Sequence, residues 1–146
     1  MSINKQQTMI SSFRYIFLGV LLFFFASCTR QIKFQQSSVV PAAQGTVKVS
    51  KDNNENYSIS ISIRNLAEPG RLSPPNRTYV VWMETRENAT LNIGQINSST
   101  SFMSKKLRAS FSAVSSSKPT KIFLTAEDDG GVQYPSLPVI IVTNSF

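Results

Sequence analysis

Residues 57–64, Tyr-Ser-Ile-Ser-Ile-Ser-Ile-Arg, alternate between apolar and polar side chains without a break. Successive side chains of an extended strand point to opposite faces, so this segment puts Tyr57, Ile59, Ile61 and Ile63 on one side and serines on the other. A helix would scatter the same isoleucines around its axis. A strand that is apolar on one face has to cover that face with a second layer. The segment therefore calls for a sheet with a partner, and the rest of the chain supplies one.

Gly45–Val49 is a short strand, and Lys51-Asp52-Asn53-Asn54-Glu55-Asn56 is a strong turn, so 45–64 reads as a hairpin. Asn65 to Asn76 contains Pro69, Pro74 and Pro75 and reads as an extended loop without ladder hydrogen bonds. Thr78–Thr85 (TYVVWMET) is the strongest strand, apolar on both faces near its centre, which predicts a central position with Trp82 in the core. Leu91–Ile96 is a shorter strand, 97–104 a polar turn, and Leu107–Val114 alternates again through Leu107, Ala109, Phe111 and Ala113. A Ser/Lys/Pro break leads to Lys121–Ala126. The Gly- and Pro-rich loop 127–138 then precedes a last strand, Val139–Thr143. Seven strands, with no helical period after residue 28, predict an all-β, immunoglobulin-like two-sheet β-sandwich over 45–146.

The amino end follows another logic. Met1–Arg14 carries Lys5 and Arg14 and no acid, and Tyr15–Ala26 is an unbroken apolar run of 12 residues. A positive n-region before a short apolar stretch is the pattern of a secretory signal peptide. The run is short for a permanent span, which needs about 20 apolar residues. It ends in Phe25-Ala26-Ser27-Cys28, which resembles the lipobox of bacterial lipoproteins with Phe25 in the usual Leu position. The resemblance implies diacylglyceryl attachment to the Cys28 sulfur, cleavage between Ser27 and Cys28, and acylation of the freed amine. Several acyl chains at about 0.8 kcal/mol per buried CH₂ would hold a soluble domain at a bilayer. The bland alternative makes Cys28 an incidental residue beside an ordinary cleavage site or an uncleaved anchor. Without residues 1–27 the net charge falls from +7 to +5. Residues 28–44, rich in Gln, Ser and Ala, read as the lipidated end and a tether. Thr29 follows the cysteine, and the choice of membrane and of face stays open.

Tyr79-x-x-Trp82, Leu91-x-Ile93-Gly94-x-Ile96, Ile122-x-Leu124-Thr125-x-Glu127-x-x-Gly130-Gly131 and Pro135-x-x-Pro138 together resemble the extracytoplasmic C-terminal domain of anti-sigma-K factors. The similarity covers roughly 78–142 and implies an immunoglobulin-like sandwich. Members of that family carry a cytoplasmic sigma-binding segment and a membrane helix before this domain. Here a lipoprotein signal stands in their place, so the resemblance transfers the fold and a role in binding or sensing, and not sigma binding.

Chemistry is narrowed by what the chain lacks. With no histidine and one cysteine it builds no Ser-His-Asp or Cys-His relay, no intramolecular disulfide and no ordinary zinc site. No Gly-x-Ser-x-Gly motif is present, and Ser104 with Lys106 has the wrong spacing for Ser-x-x-Lys. Glu84 with Glu87 or Glu127 would be the minimum set for acid/base work. Glu127-Asp128-Asp129-Gly130-Gly131 would suit a calcium loop, but without alternating ligand spacing it reads better as a hairpin turn, and no metal is assigned. Lys105, Lys106 and Arg108, with Lys118 and Lys121, would form a basic patch, or simply guard a strand edge against aggregation. Tyr79 and Trp82 would offer a sugar-stacking platform if exposed, although a core role is preferred. The Pro69–Pro75 loop bridges the sheets or binds a partner through its polyproline shape.

The expectation is a lipid-anchored, non-catalytic binding module at the bacterial cell envelope. Its partners are the membrane, through Cys28, and an envelope protein, with no nucleic acid, cofactor or ligand-binding residue assigned. The alternative is a sensory or regulatory accessory related to anti-sigma systems.

Overall fold

The structure is a computed structural model that describes residues 30–101, 104–136 and 138–146; of these, the side chains of 30, 99–101 and 104–106 are not described. Nine strands are present among them: β1 (Arg30–Lys33), β2 (Gln44–Lys51), β3 (Tyr57–Arg64), β4 (Thr78–Thr85), β5 (Thr90–Ile96), β6 (Ser99–Ser101), β7 (Ser104–Ser115), β8 (Pro119–Glu127) and β9 (Val139–Val142). They form a five-stranded sheet, β1-β2-β3-β7-β6, and a four-stranded sheet, β5-β4-β8-β9. All neighbours are antiparallel. The expected all-β sandwich of two sheets is what the chain folds into.

The alternating β3 is the reason the first sheet has a buried face. Ile59, Ile61 and Ile63 are buried, and their neighbours across the strands are Val49, Val47 and Gly45 on β2, and Ala113, Phe111 and Ala109 on β7. Facing them from the second sheet are Tyr79, Val81 and Met83 of β4, Ile122 and Leu124 of β8, and Ile141 of β9. Each large aliphatic side chain taken fully from water contributes roughly 1.5–3 kcal/mol, so this interlayer holds the two sheets together. Two glycines sit where neighbouring side chains leave no room for a Cβ. A Cβ on Gly45 would lie 2.8 Å from Ile63 Cγ1 and from Phe34 Cδ2. Gly94, at φ 136°, would bring a Cβ to 2.8 Å from Phe111 Cε2 of the opposite sheet. Only a residue without a side chain fits there with that backbone.

The β2–β3 turn is built as its composition requires. Asp52 Oδ1 accepts from the backbone N–H groups of Asn54 (2.8 Å) and Asn56 (2.9 Å), and Glu55 adopts φ 68°. Residues 65–77 carry the chain from β3 of one sheet to β4 of the other. The segment buries Leu66 and includes a 3-10 turn at Pro69–Arg71. Bridging the sheets is thus the observed role of the proline loop.

The expected tether is where the structure differs most. Arg30–Lys33 pairs with β2 as an edge strand and buries Ile32. The chain then changes sheets: Phe34 bridges to Thr143, and Gln35 N–H donates to Val142 O at 2.7 Å. Ser37, buried, donates its hydroxyl to Ile140 O and accepts from the N–H of Val40 at 2.8 Å. Val40 and Ala43 are buried beyond it. Residues 30–43 are therefore a strap that closes one edge of the sandwich, and the domain includes them. The Gln- and Ser-rich composition concealed this because the strap buries only a few widely spaced residues and pairs with each sheet in turn. A strand at Ser99–Ser101 likewise lies inside the expected polar turn 97–104, and β7 is longer than its alternating part.

Candidate functional site

Cys28 and Ser27, the residues on which anchoring was expected to depend, lie outside the described residues. What the structure does give is their neighbourhood in the chain: β1 begins at Arg30, two residues after the cysteine. At about 3.3–3.6 Å per residue, the cysteine is no more than about 7 Å of chain from the edge of the first sheet.

That edge opens onto a cavity of about 550 Å³ formed where the strap leaves β1 and returns as β2. Its polar lining includes Lys33, Gln36, Gln44, Thr46, Ser62 and Arg64. The cation pair follows from strand register. Lys33 is opposite Thr46, Thr46 opposite Ser62, and Gln44 opposite Arg64, so all point away from the buried isoleucines. Arg64 is in turn directly opposite Arg108 on β7. The period of the first sheet thus delivers basic and hydroxyl groups together on its outer face. Composition alone did not single out Lys33, Lys48 or Arg64; the signal was the polar half of the alternating strands.

The expected basic patch is divided. Arg108 belongs to the outer face just described, and Lys118 is exposed in the β7–β8 turn. Lys121 is on the other sheet and pairs with Glu84 at 3.0 Å. The side chains of Lys105 and Lys106 are outside the described set.

The outer face of the second sheet carries a small second apolar cluster. Trp82 is fully buried, but on this side and not between the sheets, with Val80 and Phe123 and the flanking Val132, Val139 and Val142. Its ring stacks on Phe123 at 6.3 Å between centroids and 15° between planes. The loop after β8 covers the cluster through a chain of polar contacts. Trp82 Nε1 donates to Thr125 Oγ1 (2.7 Å), and that hydroxyl donates to Glu127 Oε1 (2.5 Å). Ser136 donates its N–H to Glu127 Oε1 (2.8 Å) and its hydroxyl to Oε2 (2.7 Å). Asn92 Nδ2 donates to the carbonyls of Gly130 and Val132 at 2.9 and 2.8 Å. Buried polar groups need partners, and this set supplies each other's.

Glu127 is accordingly a buried strut. Asp128 and Asp129 are exposed, and Asp129 Oδ1 accepts from Gly131 N–H at 3.0 Å, the geometry of a turn. Glu84 and Glu127 share a face, but Glu84 is opposite Lys121, six residues along β8 from Glu127, or about 20 Å. They cannot flank one reacting atom. Glu87 is exposed in the β4–β5 turn. Tyr79 is buried in the interlayer and donates to Ala67 O at 2.8 Å, and burial pushes its hydroxyl pKa up to about 12. Tyr79 and Trp82 point to opposite sides of β4 and form no common platform.

Comparison with known proteins finds no matching family model, no matching curated protein and no matching solved structure. The residues behind the anti-sigma-K resemblance all lie in β4, β5, β8 and the covering loop, where Trp82, Thr125 and Glu127 are engaged in packing and internal hydrogen bonds.

Proposed function

We propose that this chain is exported, cut before Cys28, lipidated on that cysteine, and serves at the bacterial cell envelope as a membrane-held binding module without catalytic activity. The observation that carries the reading is the placement of the chain's single cysteine. It directly follows small residues at the end of the 12-residue apolar run, behind a basic amino end. Two further points support it. The described domain starts almost at once after the cysteine, at Arg30, and so keeps its strands clear of the proposed cut. The carboxylates with the most defined surroundings, Glu84 and Glu127, are committed to Lys121 and to the loop after β8, which favours binding over acid/base chemistry.

Labelling with radioactive palmitate in a bacterial host tests the reading. The full chain incorporates label and fractionates with membranes; Cys28→Ala incorporates none and accumulates unprocessed. Equal labelling of the two chains overturns it.

A further inference from the structure

The first sheet turns outward a face that, among the described residues, nothing in the fold covers. Between the buried residues of β2, β3 and β7, the outward positions align in rows across the strands. Thr46, Ser62 and Ser110 form one row, Lys48, Ser60 and Ser112 the next, and Gln44, Arg64 and Arg108 a third. Lys33 and Gln31 extend two of the rows onto β1. Short hydroxyl side chains leave the surface low and even, and the four cations Lys33, Lys48, Arg64 and Arg108 are all exposed on it.

The charge on this face is uncompensated. Across their described spans the five strands of this sheet contain no Asp or Glu. Among the described residues, the ion pairs are Lys51–Glu55, Arg71–Glu68 and Lys121–Glu84, none of them on this face. Arg64 and Arg108 are cross-strand neighbours, and like charges directly opposite one another destabilise a sheet. The exposed acids Asp128 and Asp129 belong to the loop over the other sheet. Asp52 and Glu55, also exposed, are in the β2–β3 turn at one end of this sheet, beyond the outward rows, so the rows themselves carry cations and no acid.

We propose that this outer face docks flat on the anionic headgroups of the membrane that holds the protein. The orientation rests on the anchoring reading above: a lipid on Cys28 keeps the start of β1 within about 7 Å of the headgroup layer. A domain so closely leashed has one of its surfaces against the bilayer. Charge complementarity selects the acid-free face, with the cavity between Lys33 and Arg64 open to a headgroup phosphate. The acidic loop then points away from the membrane, and the second sheet is left available to a partner.

The test separates this claim from lipidation. Residues 29–146 contain every described strand and both apolar clusters, so a chain starting at Thr29 keeps the fold and has no anchor. It is sedimented with vesicles of phosphatidylcholine, alone or mixed with phosphatidylglycerol. Binding to the mixed vesicles only, fading as salt rises, is expected. A cation near an anionic surface is worth about fivefold in partition, so Arg64→Ser with Arg108→Ser lowers binding about 25-fold. Arg86→Ser, at the β4–β5 turn, leaves it unchanged. Absence of binding to mixed vesicles overturns the proposal, as does equal binding to neutral ones or an equal loss with Arg86→Ser. Retention on a soluble sulfated polymer without vesicle binding also overturns it, in favour of a soluble polyanion. None of these results depends on whether Cys28 carries a lipid, which palmitate labelling reports separately.

Discussion

Thr125→Val replaces one hydroxyl by a methyl of nearly the same size and removes the link between Trp82 and Glu127, the carboxylate that holds the loop after β8. The Thr125 hydroxyl accepts from Trp82 Nε1 and donates to Glu127. Without it, a buried indole N–H loses its partner, at about 1–3 kcal/mol, and a carboxylate loses a hydrogen bond of about 1.5–3 kcal/mol. The added methyl sits beside Val80 and Trp82 and recovers part of this, leaving a net loss of about 2–4 kcal/mol. For a domain of this size that is a fall in Tm on the order of 10 °C. Thr125→Ser keeps the hydroxyl and removes one methyl, for about 1 kcal/mol. Urea unfolding followed by tryptophan fluorescence reads the difference directly, because Trp82 is the only tryptophan and is itself the donor. At unchanged m-value, the midpoint of Thr125→Val should lie well below that of Thr125→Ser. Two variants of equal stability, or a loss below about 0.5 kcal/mol for the valine, would refute the network as a structural tie.

Three other outcomes follow from the packing. Gly45→Ala forces a methyl against Ile63 and Phe34 and should cost about 1–3 kcal/mol in a thermal melt, whereas a surface strand would gain from losing a glycine. Ile32→Ala should cost about 2–4 kcal/mol, because the strap is part of the core; a change near zero would restore a tether to that segment. Tyr79 gives the alkaline limit. Its hydroxyl pKa is raised from 10.0 to about 12, so its contribution is complete below pH 10.0 and is lost as pH climbs towards 12. Unfolding midpoints across that range should fall for the parent chain and fall less for Tyr79→Phe.

The period-2 segments were legible in the sequence because one buried face dictates the identity of every second residue. For that reason Tyr57–Arg64 has the bounds expected of it. The doubly apolar centre of β4 was equally legible as buried on both sides. It did not reveal that the second side is covered by the chain's own loop, because that cover depends on Thr125, Glu127 and Ser136 meeting across the fold. The strap was hidden for a related reason. Gln31 to Ala43 meets two sheets in succession, and neither contact lasts long enough to impose a period. The same limit applies to Lys33, Lys48, Arg64 and Arg108, which are scattered in sequence and gathered only by register. The proposed anchoring motif is the opposite case: it is entirely local, and no tertiary contact is needed to read it.

The most direct measurement of that motif is the intact mass, with the amino-terminal peptide, of the full chain recovered from bacterial membranes. Lipidation on Cys28 requires a chain that begins at that residue and carries a diacylglyceryl group on its sulfur, with an acylated or free amine. A membrane-recovered chain that still begins at Met1, or one cut elsewhere with an unmodified cysteine, would contradict it.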